Sequence, residues 1–281
     1  MRVCSRAAFA ALLLSATNVS FSQSIAQPSA PRTLAAVLAH ADDETPAGPI
    51  LARYAREGVQ VYLIIASDGS QSTGANSANP RSDSSAATAE AIARARADEA
   101  RCAAHALGAH PPILLGFPDG KLGDFIGDRS LIFRLSQRVA EELDRVHPDA
   151  VITWGPDGGV GHPDHRIVSD IVTQLQRAGA PGVPERVFYM YIPPEGFRAM
   201  NPQRGEPPFV VPQPKYLTVR IPFATEDLTA ARRAMSCHRS QFSEEVIDRV
   251  FPVEQRFWNG TIPLSPAFPT APLHDLFAKG S

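Results

Sequence analysis

Four short apolar runs, TLAAVLA (33–39), VQVYLIIAS (59–67), PILLGF (112–117) and DAVITW (149–154), are almost unbroken by polar residues. A strand with one solvated face alternates polar and apolar residues. Runs like these are expected of strands covered on both faces, so a chain carrying several of them must also supply two layers of helix. Helix-like stretches lie at 45–57, about 85–107, 128–146, 163–178 and 225–239, and Gly58 and Gly108 stand where helix-ending glycines belong. VFYMYI (187–192) and YLTVRI (216–221) read as later strands. This order predicts one α/β domain, Rossmann-like, with a mostly parallel sheet flanked by helices.

In such a sheet, ligands bind beyond the carboxyl ends of the strands. Two polar clusters fall at such ends. AHADDETP (39–46) closes the first strand, and GPDGGVGHPDHR (155–166) closes the fourth. Three consecutive acids repel one another and sit badly beside an apolar core unless something positive joins them. His40 and Asp43 are three apart around a strand-to-helix turn. His162 precedes Pro163, a residue favoured at the first helical position, so His162 and His165 are three apart at a helix start and can face one way. One carboxylate and two imidazoles from two loops make a three-ligand site with an open position, the arrangement of a catalytic zinc. Asp43 can then bind the cation directly while Asp42 stays unligated beside it as a base.

The rest of the chain narrows the partners. With 27 Lys+Arg against 29 Asp+Glu and no basic block, nucleic acid is not expected. Arg2 and Arg6 followed by AAFAALLLSATNVSF and the small-x-small Ser24-Ile25-Ala26 predict a cleaved export signal over 1–26. That run is too short for a comfortable membrane span. The expectation is a secreted or periplasmic protein whose single domain is 27–281. Cys102 and Cys237 are expected to be separate thiols, and no C-x-x-C offers a cysteine metal site. The Ser/Gly/Asn-rich 67–83 and the proline-rich 193–214 read as loops, and the tail from Pro263 as a surface strap. Asp68, Arg81, Arg96 and Asp119 are candidates to bind substrate, and Asp164 to orient an imidazole. His105, His110, His147 and His238 read as structural, with His238 and Gln241 buried and hydrogen-bonded.

AHADDE, followed over a hundred residues later by GPDGGVGHPDH, resembles the PIG-L/LmbE-like de-N-acetylases, whose motifs are usually AHPDDE and HPDH. Arg96-x-x-Glu99 with Leu107-Gly108, GFPDG (116–120) and His238-x-Ser240-Gln241 resemble further family elements in the same order. The resemblance runs from about residue 33 to about 242. It implies His40, Asp43 and His165 as ligands of one Zn2+ per chain, Asp42 as general base and His162 facing the oxyanion. It also implies hydrolysis of an N-acyl amide, on an N-acetylglucosamine-type sugar or glycoconjugate. Ala41 replaces the usual proline of the first motif, and Val160 stands where some relatives have tyrosine. Two rivals use the same residues: an amidase on thiol–sugar conjugates, and an Fe2+ oxygenase, since two histidines and one carboxylate also suit non-haem iron.

Overall fold

The computed structural model describes residues 30–72, 86–124, 126–200, 212–268 and 272–278, so the predicted signal segment and Arg81 lie outside the described residues. The described residues from Pro31 onward form one compact unit. Its strands are β1 (Thr33–Leu38), β2 (Gln60–Ser67), β3 (Ile113–Phe117), β4 (Ala150–Trp154), β5 (Val187–Met190), β6 (Val219–Pro222) and β7 (Thr261–Pro266). Its helices are α1 (Gly48–Arg56), α2 (Ala86–Leu107), α3 (Leu131–Val146), α4 (Pro163–Arg177), α5 (Pro194–Met200), α6 (Thr225–Met235) and α7 (Glu244–Trp258). The sheet order is β3-β2-β1-β4-β5-β7-β6. Strands β1 to β5 pair in parallel, and β7 pairs antiparallel with both β5 and β6.

The apolar runs behave as strands covered twice. Along β1, Leu34, Ala36 and Leu38 pack into a core with α1, α2, α6 and α7, whereas Ala35 and Val37 pack into a second core with α3 and α4. Successive strand side chains point to opposite faces, so each must be apolar when both faces are covered. Gly58 and Gly108 sit at positive φ where α1 and α2 end, as their placement predicts. The chain leaves β1 toward β2 and β3 on one side, and β4 and β5 continue on the other. The order therefore reverses between β1 and β4, and the crevice at their carboxyl ends is the place such folds bind ligands.

Three expectations are corrected. The tail from Pro263 is not a strap: Thr261–Pro266 is the strand between β5 and β6. Its two prolines lack an N–H and weaken the strand signal. The proline-rich 193–214 contains α5, which starts on Pro194, a tolerated first-turn position. Helix α7 is a further addition, capped by Ser243 accepting from the Val246 N–H; Pro252 inside it hides a regular inward face of Ile247, Val250, Phe251 and Trp258. Finally, Cys102 on α2 and Cys237 just beyond α6 are not separate thiols. They form a disulfide with Cα atoms 5.7 Å apart across 135 residues of sequence. The pairing depends on α2 and α6 lying on the same face of the sheet, which neither cysteine's neighbours reveal.

Non-reducing peptide mapping is expected to recover Cys102 and Cys237 as one cross-linked pair. Replacing both with serine should lower stability by roughly 2–5 kcal/mol in denaturant unfolding, because a long loop loses its closure.

Candidate active site

The turn after β1 resolves the acidic run by splaying its three carboxylates. Asp43 Oδ2 accepts the Ala39 and His40 N–H groups at 2.9 and 2.8 Å. Asp43 Oδ1 faces His165 Nε2 at 3.1 Å and His40 Nδ1 at 3.7 Å. Asp42 turns to the Arg96 guanidinium at 3.0 Å, and Glu44 to His238 Nε2 at 2.6 Å, a pair that is fully buried. Each acid thus meets its own positive or polar partner rather than its neighbour.

His40 Nδ1 and His165 Nε2 lie 3.0 Å apart. Both rings are held from behind. His165 Nδ1 donates to the Gly158 carbonyl at 2.9 Å, leaving the Nε2 lone pair facing Asp43. His40 Nε2 sits 3.2 Å from Asp119 Oδ1 and 3.5 Å from Asp164 Oδ2, so it donates there and presents Nδ1. Two imidazole lone pairs and a carboxylate oxygen therefore converge on one point, an arrangement that only a cation or a shared proton can stabilise. Backing of each imidazole by a carbonyl or carboxylate is what ligating histidines require. These donors fit a divalent ion of the zinc type, with N and O ligands. Burial opposes the charged imidazolium of His40, yet Asp119, Asp164 and Asp43 together hold its pKa well above the usual histidine value. Burial likewise opposes the Asp43 carboxylate, but the His165 and His40 rings hold its pKa well below the usual range. Each shift marks a site in which positive charge is favoured.

His162 caps α4. Its Nδ1 accepts the Asp164 N–H at 3.2 Å, which leaves Nε2–H as the donor of the neutral ring. Burial first, and then His40 and His165, lower its pKa and keep it neutral. Its ring lies 4.7 Å from that of His40, and it too offers a nitrogen within 4.8 Å of the other two histidines. The carboxylate of Asp43 is the better third ligand, because it is anionic and is already aimed by two backbone amides. The loop that delivers these histidines depends on glycine. Gly158 and Gly159 have φ of +73° and +66°, and a Cβ on Gly159 would lie 2.5 Å from the Trp154 ring. That ring, the last residue of β4, stacks flat on His165 with centroids 4.5 Å apart.

These groups border a cavity of about 490 Å³ that also admits Gln71, Ser72, Val160, Phe197 and Gln241. Of the candidate substrate ligands, Asp119 lines this cavity but is occupied: Oδ1 faces His40 and Oδ2 accepts the Gln71 N–H at 2.9 Å. It orients the His40 imidazole, the role expected of Asp164. Asp164 stands slightly farther from His40, and its carboxylate accepts the Gly120 and Leu122 N–H groups at 2.8 and 3.0 Å. Asp68 does not line the cavity; it accepts the Ser70 and Asp119 N–H groups and braces the two loops. Arg96 is 2% exposed and its guanidinium is committed to Asp42 and Glu99. Gln241 lines the cavity and donates to Ser240 Oγ, whereas His238 is buried on Glu44 as expected. Two contributions were not anticipated, the Asp119–His40 pair and the Trp154 platform. Both could have been sought among residues that end a strand on the same sheet edge.

The PIG-L family, described as GlcNAc-PI de-N-acetylase, matches residues 35–176, from β1 to the end of α4. The chain belongs to this family. A 1D-myo-inositol 2-acetamido-2-deoxy-alpha-D-glucopyranoside deacetylase from Actinosynnema mirum is 31% identical over 235 residues, covering 75% of this chain and 81% of that protein. The N,N'-diacetylchitobiose deacetylase of Pyrococcus horikoshii shares the fold with a TM-score of 0.57 at 17% identity, over 84% of this chain and 82% of its own. GalB, the 4-carboxy-2-hydroxymuconate hydratase of Pseudomonas putida, shares it as well, with a TM-score of 0.56 at 19% identity over 85% of this chain and 98% of its own. The fold alone therefore serves more than one reaction, and the side chains of the site must carry the distinction.

Two outcomes follow for the metal site. Gly159→Ala should lose most bound metal in equilibrium dialysis, because the added methyl displaces the Trp154 ring that supports His165. A metal-replete Gly159→Ala protein would refute that support. Metal uptake requires His40 to give up its Nδ1 proton, and its pKa is raised. Affinity measured by chelator competition should therefore weaken as pH falls, starting above the ordinary histidine range. An affinity that stays flat down to pH 6 would contradict this.

Proposed function

We propose that the protein is a zinc-dependent de-N-acetylase that hydrolyses the acetamide of an N-acetylglucosamine-type sugar or glycoconjugate. The family places the chain among de-N-acetylases, hydrolases of amide bonds. The observation that carries the finer reading is the division of labour between adjacent acids: Asp43 faces the two histidines, while Asp42 faces the cavity from its contact with Arg96. His40, Asp43 and His165 would hold the ion. A zinc ion bound there lowers the pKa of water and polarises an acyl oxygen.

The chain's own groups do the rest. Asp42 takes the proton of the attacking water and returns it to the leaving amine, a role worth roughly 10²–10⁴-fold in rate. His162, neutral and with Nε2–H as its donor, stabilises the oxyanion that develops on the acyl carbon's oxygen, and one such donor contributes about 3 kcal/mol. Phe197 and Ile192 on the cavity wall exclude water around the acetyl group. An oxygenase would have no use for a base beside the ligand carboxylate, and this separates the amide reading from the Fe2+ rival. The disulfide and the basic–apolar N-terminal segment together support export to an oxidising compartment. Among the described residues no helix is long and apolar enough to cross a membrane.

The zinc-loaded protein should release acetate from N-acetylated sugars in a screen over free, inositol-linked and oligomeric substrates. Asp42→Asn should keep its metal yet slow by at least about 10²-fold, whereas Asp43→Asn should lose metal and activity together. Full activity in Asp42→Asn, or metal retained only in Asp43→Asn, would reverse the two roles. For export, mass spectrometry of secreted material should find the mature N-terminus near about residue 23 to 27. An intact Met1 on exported protein would refute cleavage.

A further inference from the structure

The general base of this site stands on a turn at the cavity wall, followed directly in sequence by the like charges of Asp43 and Glu44. A carboxylate so placed needs an external restraint to keep one oxygen aimed at the water it serves. The restraint visible here is a chain of contacts that starts far away in sequence. Arg96 Nη2 meets Asp42 Oδ1 at 3.0 Å, and Arg96 Nη1 meets Glu99 Oε2 at 3.1 Å. The planar guanidinium is thus gripped at both forks and cannot swing. Glu99 is fixed in turn. Its Oε1 accepts the Ser240 N–H at 2.7 Å and its Oε2 accepts the Ser240 hydroxyl at 2.8 Å.

Ser240 belongs to the turn that follows α6. That turn is closed by the Gln241 and Phe242 N–H groups, both donating to the His238 carbonyl. It begins at Cys237, whose disulfide partner Cys102 lies one helical turn beyond Glu99 on α2. The cross-link therefore joins the two elements at the place where Ser240 and Glu99 meet. The same turn carries His238, which holds Glu44 on the other side of Asp43. A single short segment thus grips both acids that flank the ligand carboxylate.

We infer that this turn is a positioning device for the base, in which Ser240 and Glu99 set the orientation of Asp42 through Arg96 and the Cys102–Cys237 disulfide keeps the chain of contacts in register. The inference rests on the reading of Asp42 as the base. None of these groups except Asp42 touches the reacting atoms, so Arg96, Glu99 and Ser240 are positioning residues. Their loss should appear in kcat, since a small misplacement of a reacting group costs rate rather than binding.

The test is a double-mutant cycle on the zinc-loaded full chain, with acetate release from N-acetylglucosamine, metal content and melting curves read for every protein. Glu99→Gln, Ser240→Ala and Cys237→Ser should each lower kcat by about tenfold or more while KM and metal content stay within about twofold of wild type. Ser240→Thr, which keeps the hydroxyl, should recover most of the rate. Combined with Asp42→Asn, the same three substitutions should cost nothing further, because the group they position is gone. A Ser240→Ala protein with wild-type kcat, or losses that are equally large in the Asp42→Asn background, would overturn the inference while leaving the base assignment intact. An Asp42→Asn protein as fast as wild type, or a wild-type protein that releases no acetate from any free, inositol-linked or oligomeric N-acetylated sugar, would instead overturn the base reading and this inference with it. If Glu99→Gln fails to fold, the Ser240→Ala and Ser240→Thr pair decides alone.

Discussion

Three adjacent carboxylates at the end of a buried strand are tolerable only if each finds a different partner, and the architecture around β1 is arranged to supply them. Asp43 is drawn down by two backbone amides onto a pair of imidazoles, Asp42 is drawn aside by a buried guanidinium, and Glu44 is drawn back by a buried histidine. The partners come from α4, α2 and the turn after α6, so the packing of three separate elements around β1 converges on three consecutive residues of sequence. Were those elements to separate, the acids would repel one another across a few ångströms in a low-dielectric setting, at a cost several times that in water.

The same convergence divides labour within the site. A carboxylate whose two oxygens are taken up by backbone amides and imidazoles is suited to hold a cation and is a poor proton carrier. A carboxylate with one oxygen on an arginine and a place at the cavity wall is suited to move protons. His162 and His165 are separated in the same manner, since the first spends Nδ1 on the Asp164 amide and the second spends it on the Gly158 carbonyl. Chemically identical side chains thus acquire different work from the atoms behind them. GalB shows that the shared fold serves a hydratase as well, which agrees with the reaction being set by these local partners rather than by the sheet.

The apolar strand runs and the two polar clusters were legible because each rests on local physics. A doubly covered strand must be apolar throughout, and a helix start favours proline at its first position. The elements that were not legible share a cause. Strand β7 and helix α7 contain prolines that local propensity counts against them, and tertiary packing overrides that penalty: β7 is hydrogen-bonded to β6 on one side, and α7 buries an apolar face. Asp119 and Arg96 read as candidate substrate ligands in sequence. Their commitment to His40 and Asp42 exists only because the turn after β3 and the middle of α2 lie beside the turn after β1.

The first four strands, the helices that follow them and the sheet edge that carries the two polar clusters follow from the residues in their local order, since periodicity, strand-end placement and i,i+3 spacing act over a few residues. The disulfide, the backing of the His40 imidazole by Asp119 and Asp164, and the separate fates of Asp42, Asp43 and Glu44 were decided by the folded chain. Those contacts join residues some 40 to 200 positions apart, such as Gly120 with Asp164 and Glu44 with His238. Contacts at such separations are set by how α2, α4 and the turn after α6 pack on the sheet, and no local pattern of charge or hydropathy encodes that packing.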